Sequence, residues 1–400
     1  MLTIQRLKML VTAASLMFLF HPAMAEERSS TKTPPVLPRV HAAMEQQVQD
    51  EEVAGAVTIV VSPDRILSLD AVGEADREKH LPMRADSIFW IASMTKPVTG
   101  LAISKLQEQG KLQLHDPVEK YIPEFKNIKN EQGEPVQITL LQMLTHTSGL
   151  RDVDRKKSQG IKTLKDLVPL VTSMTVKSPP GSKWEYNQAG INMAGRIVEV
   201  VSGMPFDEYL HKEFFQPLKM VDTTFYLTEE QLPRLAQIYC RTEDGKLVLE
   251  QERTLASMGL DPSTRDRLPL ANGGLFSTAP DYAKLCQMLL NEGELNGRRY
   301  LKPETVKQFR TIQTAPEIVT GFTPGNGWGV GCCVLRTPQG LTESLSPGTF
   351  GHGGAFGTQV WIDPVRKQAW VLMVQRSNFK NSDASVVRDA FQDALFPERP

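Results

Sequence analysis

Residues 93–98 read Ser-Met-Thr-Lys-Pro-Val. Ser93 and Lys96 stand three positions apart, so a helix starting here puts a hydroxyl and an amine on one face, within reach of each other. The residues that follow predict that helix: Met94, Val98, Leu101, Ala102, Ile103 and Leu106 form an apolar stripe, and Gly110 is a natural stop. Pro97 is compatible with it, because the backbone N–H groups of a first turn have no intrahelical partner to lose. Ser93 then sits at a helix N-terminus, where the peptide dipoles favour developing negative charge. The spacing alone is not specific, since a chain of this size holds about one Ser-x-x-Lys match by chance. Ser29 and Lys32 make a second match, but they lie in a Ser/Thr/Pro-rich stretch without apolar periodicity, which reads as linker.

The N-terminal end and the composition narrow the class. Arg6 and Lys8, an apolar run from Met9 to Phe20, and the small-x-small triplet Ala23-Met24-Ala25 predict a cleavable export signal over residues 1–25. The apolar run is too short for an ordinary membrane span. The expected location is therefore the periplasm or the medium, with no stable membrane span after cleavage. The chain has 45 basic and 46 acidic residues, and losing Arg6 and Lys8 leaves it slightly acidic. With no basic tract, a nucleic-acid partner is excluded. The run from Arg151 to Lys157 reads as a solvated loop. Cys240, Cys286, Cys332 and Cys333 match no zinc spacing and read as small buried hydrophobes. Export would permit a disulfide between a distant pair, but Cys332 and Cys333, as strand neighbours, point to opposite faces and should not bridge. The chain has no HExxH, no glycine-rich phosphate loop and no GxSxG elbow. Zincin, P-loop NTPase and ordinary α/β-hydrolase readings fall away with them.

The predicted elements are strands at both ends with helices between. After a linker over residues 26–37, Val40 to Gln49 reads as a helix, and Ala56–Ser62 with Ile66–Val72 reads as a hairpin across Pro63-Asp64-Arg65. Helical stretches follow at Leu140–Leu144, Ile191–Ser202, Phe206–Phe214, Pro280–Asn291 and Lys302–Thr311, with Asp244-Gly245 as a turn. Gly329–Arg336, Gly357–Ile362 and Trp370–Gln375 read as strands, and Ser382–Leu395 as a last helix. The N-terminal strands have no other sheet to join. The expected fold class is therefore α/β (α+β): a mainly antiparallel sheet flanked by helices, formed from both chain ends, with an inserted mostly helical domain. The catalytic domain is read as residues 38–397, its α/β part about 38–92 and 312–397 and its helical part about 93–311, with a substrate cleft expected between them.

Ser-x-x-Lys chemistry needs a second proton-transfer group and an edge to hold an acyl substrate. Pro180-Gly181-Ser182-Lys183-Trp184-Glu185-Tyr186 places Tyr186 on a tight loop before a helix, and a nearby ammonium is expected to lower its phenol pKa. Phe350-Gly351-His352-Gly353-Gly354-Ala355-Phe356-Gly357 carries four glycines in seven residues, read as room for close approach of a ligand, with His352 as a donor to the bound acyl group.

With these motifs the chain resembles the serine β-lactamase-like superfamily: class C β-lactamases, D,D-peptidases and related esterases. Further resemblance lies in Gly110–Val118, Ile138–Leu150 (ITLLQMLTHTSGL), Pro180–Gly190 and Gly273–Asp281, and it covers roughly residues 38 to 397. The resemblance implies Ser93 as acylated nucleophile, Lys96 as its proton partner and Tyr186 as a second general acid–base. It implies an oxyanion hole from the backbone N–H groups of Ser93 and Ala355. His352, Gly353 and Gly354 take the place of the family's Lys-Thr-Gly triplet, and His146 is given no catalytic role. Two positions depart from the pattern. Gln188 stands where an Asn normally contacts the substrate amide, and His352 replaces a cation that holds the substrate carboxylate in β-lactamases. His-x-Gly in this place resembles the esterase and peptidase-like branches. The implied activity is an exported serine hydrolase of small esters. D-aminoacyl or D,D-carboxypeptidase or weak β-lactamase action is the alternative, and a non-hydrolytic penicillin- or peptidoglycan-binding sensor the alternative of a different class. No metal or organic cofactor is implied.

Overall fold

Gly55–Val61 (GAVTIVV) is apolar at almost every position, so as a strand it has to be covered on both faces. It is: every residue of this strand (β1) is buried. Val57, Ile59 and Val61 face one apolar core, Ala56 and Val60 another. The computed structural model describes residues 34–397, which form one compact unit; the predicted signal and most of the linker lie outside the described residues.

β1 is third from one edge of an eight-stranded sheet. The other strands are β2 (Ile66–Asp76), β3 (Leu81–Pro82), β4 (Asn326–Trp328), β5 (Cys333–Leu335), β6 (Phe350–Gly353), β7 (Gln359–Asp363) and β8 (Gln368–Met373). Their order is β4-β5-β6-β7-β8-β1-β2-β3, and all neighbours are antiparallel. The closure by both chain ends is seen in the register, with Val57 opposite Met373 and Val61 opposite Ala369. Helices α1 (Pro38–Gln49) and, at the other end of the chain, Val386–Leu395 cover one face through Val40, Met44, Val387 and Phe391. The other face packs on α2 (Thr95–Glu108) and on Ala279–Leu290.

Helix α2 is buried nearly all round because it runs through the middle of the molecule. Pro97 sits in its first turn. Gly110, at φ 71°, follows its end. Gly100 is required by packing, since a Cβ there would lie 2.1 Å from the carbonyl oxygen of Val330.

One expectation needs correction, and two features add to the reading. Gly329–Arg336 is not one strand but part of a hairpin: β4 ends at Trp328, Gly331 turns at φ 78°, and the Gly329 N–H donates to the Cys332 carbonyl before β5 begins. The segment 93–311 also contains short strands. It carries the short pairs Tyr239–Arg241 with Leu247–Leu249 and Glu294–Leu295 with Arg298–Arg299, while Phe276–Ser277 pairs back to Phe89–Trp90. The helix Leu164–Thr172 was not anticipated. Cys332 and Cys333 do join opposite cores, and all four cysteines are free thiols. Among the described residues, no helix is long and apolar enough to cross a membrane.

Candidate active site

Ser93 lies in a 3-10 turn (Ala92–Met94) that runs straight into α2. The turn is strained, because Ala92 is held at φ 44°. Two contacts hold it in place. The Leu275 N–H donates to Thr95 Oγ1 at 3.2 Å, and the Ile91 N–H to the Leu275 carbonyl at 3.1 Å.

Lys96 is wholly buried, and its Nζ donates to three oxygens: Ser93 Oγ at 2.9 Å, Gln188 Oε1 at 2.9 Å and the Asn272 carbonyl at 2.8 Å. These use all three ammonium hydrogens. None of the three acceptors carries a charge. Burial therefore dominates and lowers the Lys96 pKa to about 7, with the more distant carboxylates of Asp152 and Asp383 offsetting part of the fall. The Lys96 amine also sits over the Tyr186 ring, 4.7 Å from its centroid.

The Tyr186 hydroxyl is hydrogen bonded to Ser93 and lies 3.5 Å from His352 Nε2. Its pKa is raised, not lowered as the sequence suggested. Burial of the phenol is the largest cause; the hydrogen bond with Ser93 offsets part of it, and the carboxylates of Asp383 and Asp152 add to the rise. Tyr186 is thus a protonated phenol at neutral pH. His146 backs it from below. Its ring centre is 4.4 Å from that of Tyr186, its Nδ1 accepts from the Asn187 N–H at 3.4 Å, and its carbonyl accepts from the Glu185 N–H at 2.8 Å.

His352 stands on β6 beside Tyr186, and its Nδ1 lies 2.6 Å from the Gly353 carbonyl. A carbonyl only accepts, so the proton is on Nδ1 and Nε2 faces the Tyr186 hydroxyl as an acceptor. The expectation that His352 donates to a bound acyl group is therefore corrected. Burial, with Lys96 nearby, pushes the His352 pKa down to about 3, so the ring stays neutral.

Gln188 has a role that its sequence position did not suggest. Its side-chain oxygen accepts from Lys96 and, at 2.8 Å, from Asn272 Nδ2, so its carbonyl holds the lysine. The Gln188 and Ala189 N–H groups donate to Asp152 Oδ1 at 2.5 and 3.0 Å, which caps the helix Ala189–Ser202.

The glycines of the Gly351–Gly357 segment are demanded by the protein's own packing. A Cβ on Gly353 would lie 2.1 Å from Asp383 Oδ1, and one on Gly354 would lie 2.0 Å from Thr358 Oγ1 and 2.7 Å from the Ile91 carbonyl. Thr358 Oγ1 donates to that same Ile91 carbonyl at 3.3 Å. The end of β6 is thereby stitched to the turn that carries Ser93, and Ala355 is exposed just beyond it.

The structure thus brings Ser93, Lys96, Tyr186, Gln188 and His352 together, with Gly353, Gly354 and Ala355 along one edge. Sequence reasoning missed Asn272, Asp152 and Asp383. Asn272 lies in Ala271-Asn272-Gly273-Gly274, just ahead of a block already singled out, and that proximity was the available signal.

A model of the β-lactamase family matches residues 40–393. The chain belongs to the β-lactamase family. Esterase EstB of Burkholderia gladioli is 31% identical over 352 residues, covering 81% of this chain and 86% of EstB. Among solved structures, EstCE1, described as a hydrolase with promiscuous acyltransferase activity, superposes with a TM-score of 0.77 at 24% identity, over 90% of this chain and 98% of EstCE1. A penicillin-binding protein homologue from Caulobacter crescentus superposes with a TM-score of 0.73 at 21% identity, over 92% of this chain and 99% of the homologue. At these identities the likeness to both structures is one of fold. The β-lactamase-family chain is a serine hydrolase with a β-lactamase/transpeptidase-like fold.

Proposed function

We propose that this hydrolase is an exported esterase that cleaves small carboxylic esters through an acyl-Ser93 intermediate. The observation that carries the reading is the buried Lys96 amine. It donates to Ser93 Oγ, is ligated by uncharged oxygens and has a pKa near 7. An amine so placed is neutral often enough to take the serine proton at the pH where it must work.

In this reading Ser93 Oγ attacks the ester carbonyl as its proton passes to Lys96. The N–H groups of Ser93 and Ala355 hold the oxyanion, on two segments stitched together at Ile91. The tetrahedral intermediate expels the alcohol, whose oxygen takes the Tyr186 proton as the Lys96 ammonium replaces it, so no free phenolate accumulates. Water then attacks the acyl carbon, the same pair takes its proton and delivers it to Ser93 Oγ as the acyl C–O bond breaks, and the carboxylic acid leaves. The neutral His352 supports ester over β-lactam substrates, because no positive charge stands there to hold a substrate carboxylate. The likeness to EstB supports the same choice. The basic, apolar and small-residue pattern of residues 1–25 supports export.

Mixing the enzyme with p-nitrophenyl acetate should produce one acetyl group on the peptide that contains Ser93, visible by intact-mass and peptide mapping, which decays as fast as the enzyme turns over. A lasting adduct without turnover would instead make the protein a sensor.

The pH dependence of acylation follows from Lys96. Its pKa is depressed, and only its neutral form accepts a proton, so kcat/KM is expected to rise with pH along one ionisation near 7 and level off above it. His352, already neutral above about 3, adds no second ionisation in that range. A kcat/KM profile for p-nitrophenyl acetate that is flat through neutrality would sink Lys96 as the base.

A further inference from the structure

Tyr186 is one member of an aromatic cluster with His146, Trp184, Trp328 and Phe322. Phe322 is the odd one. It is 39% exposed, and its backbone is held at φ 73°, a conformation bulky residues avoid. Three features hold it there. The Asn381 side chain donates to the Phe322 carbonyl at 2.8 Å. Gly321 lies against Trp184, where a Cβ would sit 2.5 Å from the indole. The buried Thr320, Thr323 and Asn326 tie the loop to itself. The result is an aromatic ring standing edge to face on Tyr186, 4.7 Å between centroids and at 80°, and on Trp184 at 5.6 Å and 90°. Val319, on the same loop, is also exposed. A fold that only needed to close this loop would put glycine or asparagine at position 322. Strain kept at an exposed residue touching a proton-transfer group points to a ligand.

We infer that Phe322 is the wall against which the alcohol part of the substrate packs, and that the preferred substrates are esters of aromatic or bulky apolar alcohols. The inference rests on the esterase reading above. Tyr186 gives its proton to the leaving oxygen, so the alcohol lies on the Tyr186 side of the acyl carbon. Phe322, whose ring packs edge to face on Tyr186 at 4.7 Å, is an exposed aromatic surface next to that phenol. A flat apolar alcohol gains stacking and burial there, whereas a short alkyl one does not reach it.

Two acetates that differ only in the alcohol, naphthyl acetate and ethyl acetate, test this. The variants are Phe322→Asn and Phe322→Gly, which accept the left-handed backbone and keep the loop foldable, and Phe322→Tyr, which keeps the ring. kcat/KM reports the steps up to acylation, while the alcohol is still present. The Asn and Gly variants should lose about tenfold in kcat/KM for naphthyl acetate and less than about twofold for ethyl acetate, with a thermal midpoint equal to or above wild type. Phe322→Tyr should retain the preference. Decay of the acetyl-enzyme, from which the alcohol has gone, should not change. Equal losses on both esters, or no loss on naphthyl acetate, would overturn the wall while leaving the esterase reading intact. A wild-type enzyme that hydrolyses neither ester would overturn both.

Discussion

Ser93→Ala is expected to lower kcat for p-nitrophenyl acetate by about 10⁴-fold or more. The substitution removes the atom that becomes covalently acylated, so no neighbouring group can complete the same path. What survives is binding and oxyanion stabilisation of direct water attack, which leaves only a residual rate. The fold should hold, because Ser93 sits in a turn fixed by Thr95, Leu275 and Ile91 and not by its own hydroxyl. Steady-state assays after subtraction of spontaneous hydrolysis, with a circular-dichroism melt as the folding control, check it. Turnover within tenfold of wild type would remove Ser93 from the mechanism.

Lys96→Met is expected to lower kcat/KM by about 10² to 10⁴-fold and at the same time to change how stability depends on pH. Methionine fills the same buried slot without a charge. In wild type the Lys96 pKa is about 7 in the folded protein against 10.5 when exposed. Between those values the unfolded chain binds a proton the folded one lacks, so stability rises with pH. The penalty is full below about 7 and vanishes above about 10.5. Relative to Lys96→Met, wild type should therefore gain about 2 kcal/mol between pH 7 and pH 9. Removing the amine leaves the Asn272 carbonyl without this donor and Gln188 Oε1 with Asn272 Nδ2 as its remaining one, a pH-independent cost that shifts both ends of the comparison equally. Urea melts of both proteins at the two pH values measure the difference, and parallel stability curves would contradict a depressed Lys96.

Which parts of this site were legible in the sequence follows the range of the interactions. Ser93 and Lys96 are one helical turn apart, so their contact is local and readable from spacing. The apolar β1 and the unpartnered strands at both ends made the closure of the sheet readable too. The partners of Lys96 other than Ser93 come from residues 188 and 272, and no spacing rule joins three such distant points. The tautomer of His352 depends on one carbonyl next to it, and the state of Tyr186 on how completely it is buried; neither is a property of residue type. The glycines after Phe350 were visible, but their reason was not, because the atoms that exclude a side chain there belong to Ile91, Thr358 and Asp383. Gly329–Arg336 failed as one strand because glycine, apolar and cysteine residues suit a tight hairpin and a strand equally well.

The pairing of β1 with β8 sets an order of events for a chain made from its N-terminus. The strand Gly55–Val61 finds β2 at once, but its other edge waits for residues 369–373, about 300 positions later. At about 5–20 residues per second, an apolar edge strand stays unpaired for tens of seconds on the ribosome. Such an edge is the kind that recruits strands from other chains, so this interval is when the protein is most exposed to misassembly and most in need of a holding chaperone.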